Sequence, residues 1–74
     1  MSETIRVEVV YALPAIQEVV GLELAGGTTV REAVEASGLL AKHPEIDLAK
    51  NKLGIYAKLA KADTVLRDRD RVEI

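Results

Sequence analysis

Only one stretch of this chain repeats its apolar residues at helical spacing; nearly every other apolar run alternates. Thr29-Val30-Arg31-Glu32 has the spacing of a capping box, with Thr29 set to cap the first turn and Glu32 to reach back. Val30, Ala33, Val34 and Ser37 follow at i, i+3, i+4 and i+7, while Arg31, Glu32 and Glu35 face water. Gly38 stands where a left-handed residue stops such a helix. One amphipathic helix covers one face of a sheet and leaves the other exposed. The chain is therefore expected to be α+β, with a sheet that has a packed side and a wet side.

The alternating segments supply the sheet. In residues 4–11, Ile5, Val7, Val9 and Tyr11 share one face, and Thr4, Arg6, Glu8 and Val10 the other. Pro14 interrupts, and residues 16–24 resume with Val20, Leu22 and Leu24 inward and Val19, Gly21 and Glu23 outward. The two read as a hairpin. Gly26-Gly27 makes the turn into the helix. Residues 52–58 read as one strand, with Leu53, Ile55 and Ala57 inward and Lys52, Gly54, Tyr56 and Lys58 outward. Residues 59–66 read as irregular, Val65 and Leu66 as apolar plugs, 68–70 as a turn, and 71–74 as the last strand with Val72 and Ile74 inward. The first and last strands are expected to pair centrally and in parallel. That order is the β-grasp, or ubiquitin-like, arrangement: a mixed four- to five-stranded sheet packed on one helix, in a single domain over 1–74.

Composition removes several chemistries. The 74 residues contain no Cys and one His, so thiol chemistry, disulfides and zinc–cysteine sites are excluded and a His-based metal site is disfavoured. No metal or cofactor is expected. The formal charge of -2 argues against a protein that holds nucleic acid by charge alone. No apolar stretch is long enough to insert in a membrane, and no export signal is evident; a cytoplasmic protein is the default expectation. The charge is uneven. Lys50, Lys52, Lys58 and Lys61 fall between Asp47 and Asp63 with no acid among them.

No nucleotide-binding, P-loop or metalloprotease pattern occurs. Gly26-Gly27 before a capped helix reads as a turn in preference to an anion cradle. His43, beside Pro44 and near Glu45 and Asp47, reads as part of a solvated loop. Ser37 reads as a small packing residue. Asp68, Asp70 and Glu73 are interleaved with Arg67, Arg69 and Arg71 and read as neutralised turn charges. The remaining constellation is Lys52, Tyr56 and Lys58 on the outward sheet face, joined there by Arg6 and Arg71. An exposed Tyr flanked by cations suits an acidic protein surface. A lone aromatic is a poor platform for stacking RNA bases. No preformed cavity of ligand size is expected in so small a core.

Four stretches, VEVVYALP at 7–14, TVREAVEASGLL at 29–40, EIDLAKNKLGIYAKLAK at 45–61 and VLRDRDRVEI at 65–74, resemble the RnfH family of small bacterial ubiquitin-like proteins. The resemblance covers nearly the whole chain and implies the same β-grasp fold. It implies a protein partner by context: a START-like protein encoded nearby, with a toxin–antitoxin label, or a membrane electron-transport complex. Family members usually carry Gly where this chain has Arg69, so a positive φ there would strain the turn. They also usually continue past the last strand with a Tyr-Arg-Pro-Leu segment, a tail expected to be missing here. The expected function is a non-catalytic interaction module. The alternative is a sulfur carrier of the ThiS and MoaD type, disfavoured because that chemistry needs a C-terminal Gly-Gly and this sequence reads Val72-Glu73-Ile74. The second strand is expected at a sheet edge, where outward Val19 favours edge pairing and Gly21 and Glu23 oppose it.

Overall fold

The structure, a computed structural model, describes residues 3–74. Strands β1 (Thr4–Ala12) and β2 (Gln17–Ala25) form a long antiparallel hairpin. Helices α1 (Val30–Ala36) and α2 (Leu39–Lys42) follow, then β3 (Leu53–Ile55), β4 (Lys58–Ala60) and β5 (Arg71–Glu73). The sheet order is β2-β1-β5-β3-β4. β1 and β5 run parallel, with Glu8 opposite Arg71, Val9 opposite Val72 and Val10 opposite Glu73. This is the ubiquitin-like β-grasp fold that the alternation and the single capped helix predict. The second helix, Leu39–Lys42, is one turn long and buries Leu39.

The inner pleat of β1 supplies Ile5, Val7, Val9 and Tyr11 to the core, where they meet Val30, Ala33 and Val34 of α1, Leu39 and Val72. Val9, Val30, Val34, Leu39 and Val72 are fully buried. Each such side chain contributes roughly 1.5–3 kcal/mol by leaving water. Ile46, Leu53 and Leu66 close the ends of this layer.

The capping box forms as the spacing predicts. Thr29 Oγ1 accepts the Glu32 N–H at 3.3 Å, and the Glu32 carboxylate accepts the Thr29 N–H at 3.0 Å. The Val30 and Arg31 N–H groups donate to Thr64 and Ala62 carbonyls, both at 2.9 Å. The amides that open the helix are thus consumed inside the fold, and Gly26-Gly27 is a turn, with Gly27 at φ 93. Gly38 ends α1 at φ 79.

Two expectations about the second half need correction. Residues 52–58 are not one strand. The chain turns at Tyr56-Ala57, and Lys58–Ala60 returns as β4 alongside β3, with Ile55 opposite Lys58 and Gly54 opposite Leu59. Accordingly, 59–66 is not wholly irregular: Leu59 and Ala60 belong to the sheet. Of the two plugs, Leu66 is buried, but Val65 is exposed and makes only a bridge to Thr29.

Candidate interaction face

The outer face of the sheet is assembled from every second residue of five strands. Across its middle the register aligns Val19, Val10, Glu73, Gly54 and Leu59. Val10 is buried beneath its neighbours, whereas Val19 is 51% and Leu59 80% exposed. Gly54 keeps the floor low for a steric reason: a Cβ there would lie 3.0 Å from the Lys58 carbonyl oxygen. The result is an open groove of about 440 Å³ lined by Val10, Ala12, Gly54, Leu59, Lys52 and Lys58, among others. The groove is open to solvent and is not an enclosed cavity.

The predicted face residues fall into two groups. Arg6 and Arg71 lie on the outer pleat and are already matched. Arg71 Nε and Nη2 each lie 3.0 Å from Glu8 Oε1, directly across the parallel ladder, and Arg6 Nε lies 3.5 Å from Glu23 Oε2. Lys52 and Lys58 are exposed and, among the described residues, have no carboxylate within ion-pair distance. Lys52, Tyr56 and Lys58 do not project from one strand as predicted. Lys58 pairs with Ile55 and so shares its pleat parity; Leu59 takes the outer position beside Gly54. Leu59 is the functional candidate the sequence reading missed. Its signal was present, as an apolar residue between two lysines, but became interpretable only once the hairpin was known.

Tyr56 occupies the turn itself. Tyr56 and Ala57 have φ of 48 and 67, the backbone of a two-residue hairpin turn that ordinarily takes Asn-Gly. Three contacts hold it. The Tyr56 hydroxyl donates to the Arg69 carbonyl, its N–H donates to the Arg71 carbonyl at 3.1 Å, and the Ala57 N–H donates to Glu73 Oε1 at 2.9 Å. Tyr56 remains 56% exposed, beside a smaller hollow shared with Arg6, Glu8, Arg69 and Asp70. Arg69 has φ 71, the positive value at which a non-glycine residue is strained. The carboxylates of this turn are bound to backbone: Asp68 accepts the Arg6 N–H and Asp70 the Arg67 N–H, both at 2.8 Å.

A second polar cluster lies at the opposite end of β1. His43 Nε2 is 3.0 Å from Glu18 Oε1, and its Nδ1 is 3.5 Å from Glu45 Oε2. Lys42 Nζ is 3.0 Å from Glu18 Oε2, and the Tyr11 hydroxyl donates to Glu45 at 3.0 Å. The His43 ring stands edge-on to Tyr11, with centroids 4.9 Å apart. The His43 side chain is only 15% exposed, so the expected solvated loop is instead a clamp between α2 and the β1–β2 hairpin. Bonds from Lys42 and then His43 hold the Glu18 carboxyl below its usual range. Its own backbone N–H and then the Tyr11 hydroxyl do the same for Glu45, while that bond to Glu45, with burial, raises the Tyr11 phenol. Ser37 bonds locally at the end of α1, to the Val34 carbonyl and the Leu39 N–H. Among the described residues, no group of three or more acidic or histidine side chains is arranged to hold a metal ion. No helix among them is long and apolar enough to cross a membrane.

Sequence comparison places these features in context. A family described as RnfH family Ubiquitin matches residues 5–74. The chain is 54% identical over 74 residues to Protein RnfH of Paraburkholderia phymatum, covering all of this chain and 67% of that protein. It is 52% identical over 73 residues to a UPF0125 protein of Vibrio vulnificus, covering 99% of this chain and 62% of that one. Protein RnfH of Laribacter hongkongensis is also 52% identical over 73 residues, with 99% and 68% covered. The chain thus spans about two thirds of the length of these relatives.

Proposed function

We propose that this chain, which belongs to the RnfH family of ubiquitin-like proteins, is a non-catalytic module that binds a protein partner through its outer sheet face. The observation that carries this reading is Leu59. It is 80% exposed on a sheet strand, beside an open groove and between exposed lysines without carboxylate partners. A large apolar side chain left in water at the centre of a basic patch gains most when a partner covers it. Lys52 and Leu59 form the contact centre, and Lys58, from the position next to Leu59, lines the same groove. Tyr56, Arg6 and Arg71 form a rim whose polar groups are partly committed to the fold. The clamp around His43 is read as structural, because its side chains are bonded to one another and the bond to Glu45 raises the Tyr11 phenol, the opposite of what an activated nucleophile needs.

Affinity capture tests this. The chain is immobilised, exposed to lysate of a bacterium that encodes a family member, and compared with Lys52→Glu/Lys58→Glu/Leu59→Ser. Those three side chains are exposed, so the variant is expected to melt within a few degrees of the wild type. A START-like protein or a membrane electron-transport subunit would be sought first among the captured proteins. Loss of the same protein from the variant supports the reading. Equal retention by both baits moves the contact to another face.

A further inference from the structure

The chemistry of one sheet edge says more about the partner. Resting on the interaction face just described, we infer that the free edge of β4 receives an extended, acidic segment of the partner as an added strand. β4 ends the sheet order, so one side of its backbone has no neighbour. In a hairpin closed by a two-residue turn, the pair flanking the turn exchanges both hydrogen bonds, and the next pair does not. Ile55 and Lys58 flank this turn; Gly54 and Leu59 are next. The Leu59 N–H and C=O therefore point away from β3, and no turn or loop group takes them up. They form a small docking ladder at the most exposed large apolar residue of the described chain.

Charge selects what docks there. Arg6, Arg31, Lys42, Arg69 and Arg71 each have a carboxylate within 4.0 Å. Of the other five cations, only Arg67 lies outside the group Lys50, Lys52, Lys58 and Lys61, all of them exposed. Lysines on an edge strand oppose pairing with a second copy of the same edge. They favour a strand of opposite charge, which is how a repulsive device also sets specificity. The other edge, β2, carries no lysine or arginine to draw an acidic strand.

Shape agrees with an alternating peptide. Hollows of about 440 Å³ and 520 Å³ flank β4, and Leu59 and Lys52 line both. The first is floored by Val10, Ala12 and Gly54, and the second by Leu48, Leu53 and Ala62. A strand places successive side chains on opposite faces, so apolar residues at every second position would cover Leu59 while acidic neighbours reach the lysines.

The probe is a capped peptide of about eight residues alternating Val and Glu, titrated into the isotope-labelled full chain and followed by amide chemical shifts. Shifts should centre on residues 53–61 and affinity should fall steeply with salt. Methylating the peptide nitrogen that faces Leu59 should weaken binding about tenfold, and Lys52→Glu/Lys61→Glu should abolish it. A Val–Lys peptide should not bind. The proposal is overturned if the Val–Lys peptide binds as well, if methylation changes nothing, if the shifts fall on β2, or if an oligouridine binds more tightly than the acidic peptide. Should the peptide fail while a captured partner is still lost from the outer-face variant, the interaction face stands and the strand-addition proposal is wrong.

Discussion

Tyr56, Ala57 and Arg69 hold left-handed backbone without being glycine, at φ 48, 67 and 71. Each such residue costs about 1–2 kcal/mol, offset here by the hydrogen bonds that pin the turn. Arg69→Gly keeps the backbone bond from residue 69 to the Arg6 carbonyl and removes the strain. Allowing for glycine's greater freedom in the unfolded chain, a net gain of about 0.5 kcal/mol is expected in urea denaturation. A loss would show that the Arg69 side chain contributes more than its exposed position suggests. Tyr56→Phe keeps the ring and deletes the hydroxyl that donates to the Arg69 carbonyl, and should cost about 1 kcal/mol. Gly54→Ala pushes a methyl to 3.0 Å from the Lys58 carbonyl and should cost about 1–3 kcal/mol by prising β4 from β3. A change below about 0.5 kcal/mol would mean that the hairpin yields easily.

At the scale of elements, α1 was legible because its signals are local: Thr29 and Glu32 bond within one turn, and Thr29→Ala should cost about 1 kcal/mol, or roughly 4–8 °C in Tm. The β1–β2 hairpin was legible from strict alternation. The β3–β4 hairpin was not, since Leu53-Gly54-Ile55-Tyr56-Ala57-Lys58 keeps alternating through a turn with neither Asn nor Gly at its centre. Its left-handed residues are held by Arg69, Arg71 and Glu73, all distant in sequence. The His43 clamp was invisible for the same reason: Glu18 and Tyr11 come from strands 25 or more residues away. The clamp also predicts a pH response. The carboxyls of Glu18 and Glu45, and of Glu32 in the helix cap, titrate below their usual range in the fold. Their stabilisation is fully present above about pH 4.3 and is lost as pH falls through the lowered values. In Glu18→Gln that acid-labile share is missing, so the stability gap between wild type and variant should narrow as pH is lowered from 7 to 3. Parallel curves would contradict the clamp.

At the scale of the molecule, one capped helix covers one sheet face and leaves the other open, the face proposed for recognition. The sequence indicated the outward pleat, because Arg6, Arg71 and Lys52 alternate with core residues. It did not show that Arg6 and Arg71 pair with Glu23 and Glu8 across strands, nor that Leu59 stands exposed between lysines. Charge matching on the sheet is a tertiary property, and it separates the cations paired across strands from those with no carboxylate partner among the described residues. The most direct test is an amide hydrogen-exchange footprint of the chain with a captured, purified partner. Slowed exchange is expected at Leu59 and its neighbours on β4, with α1 and the β2 edge unchanged. Protection confined to α1 or α2 would contradict recognition through the outer face.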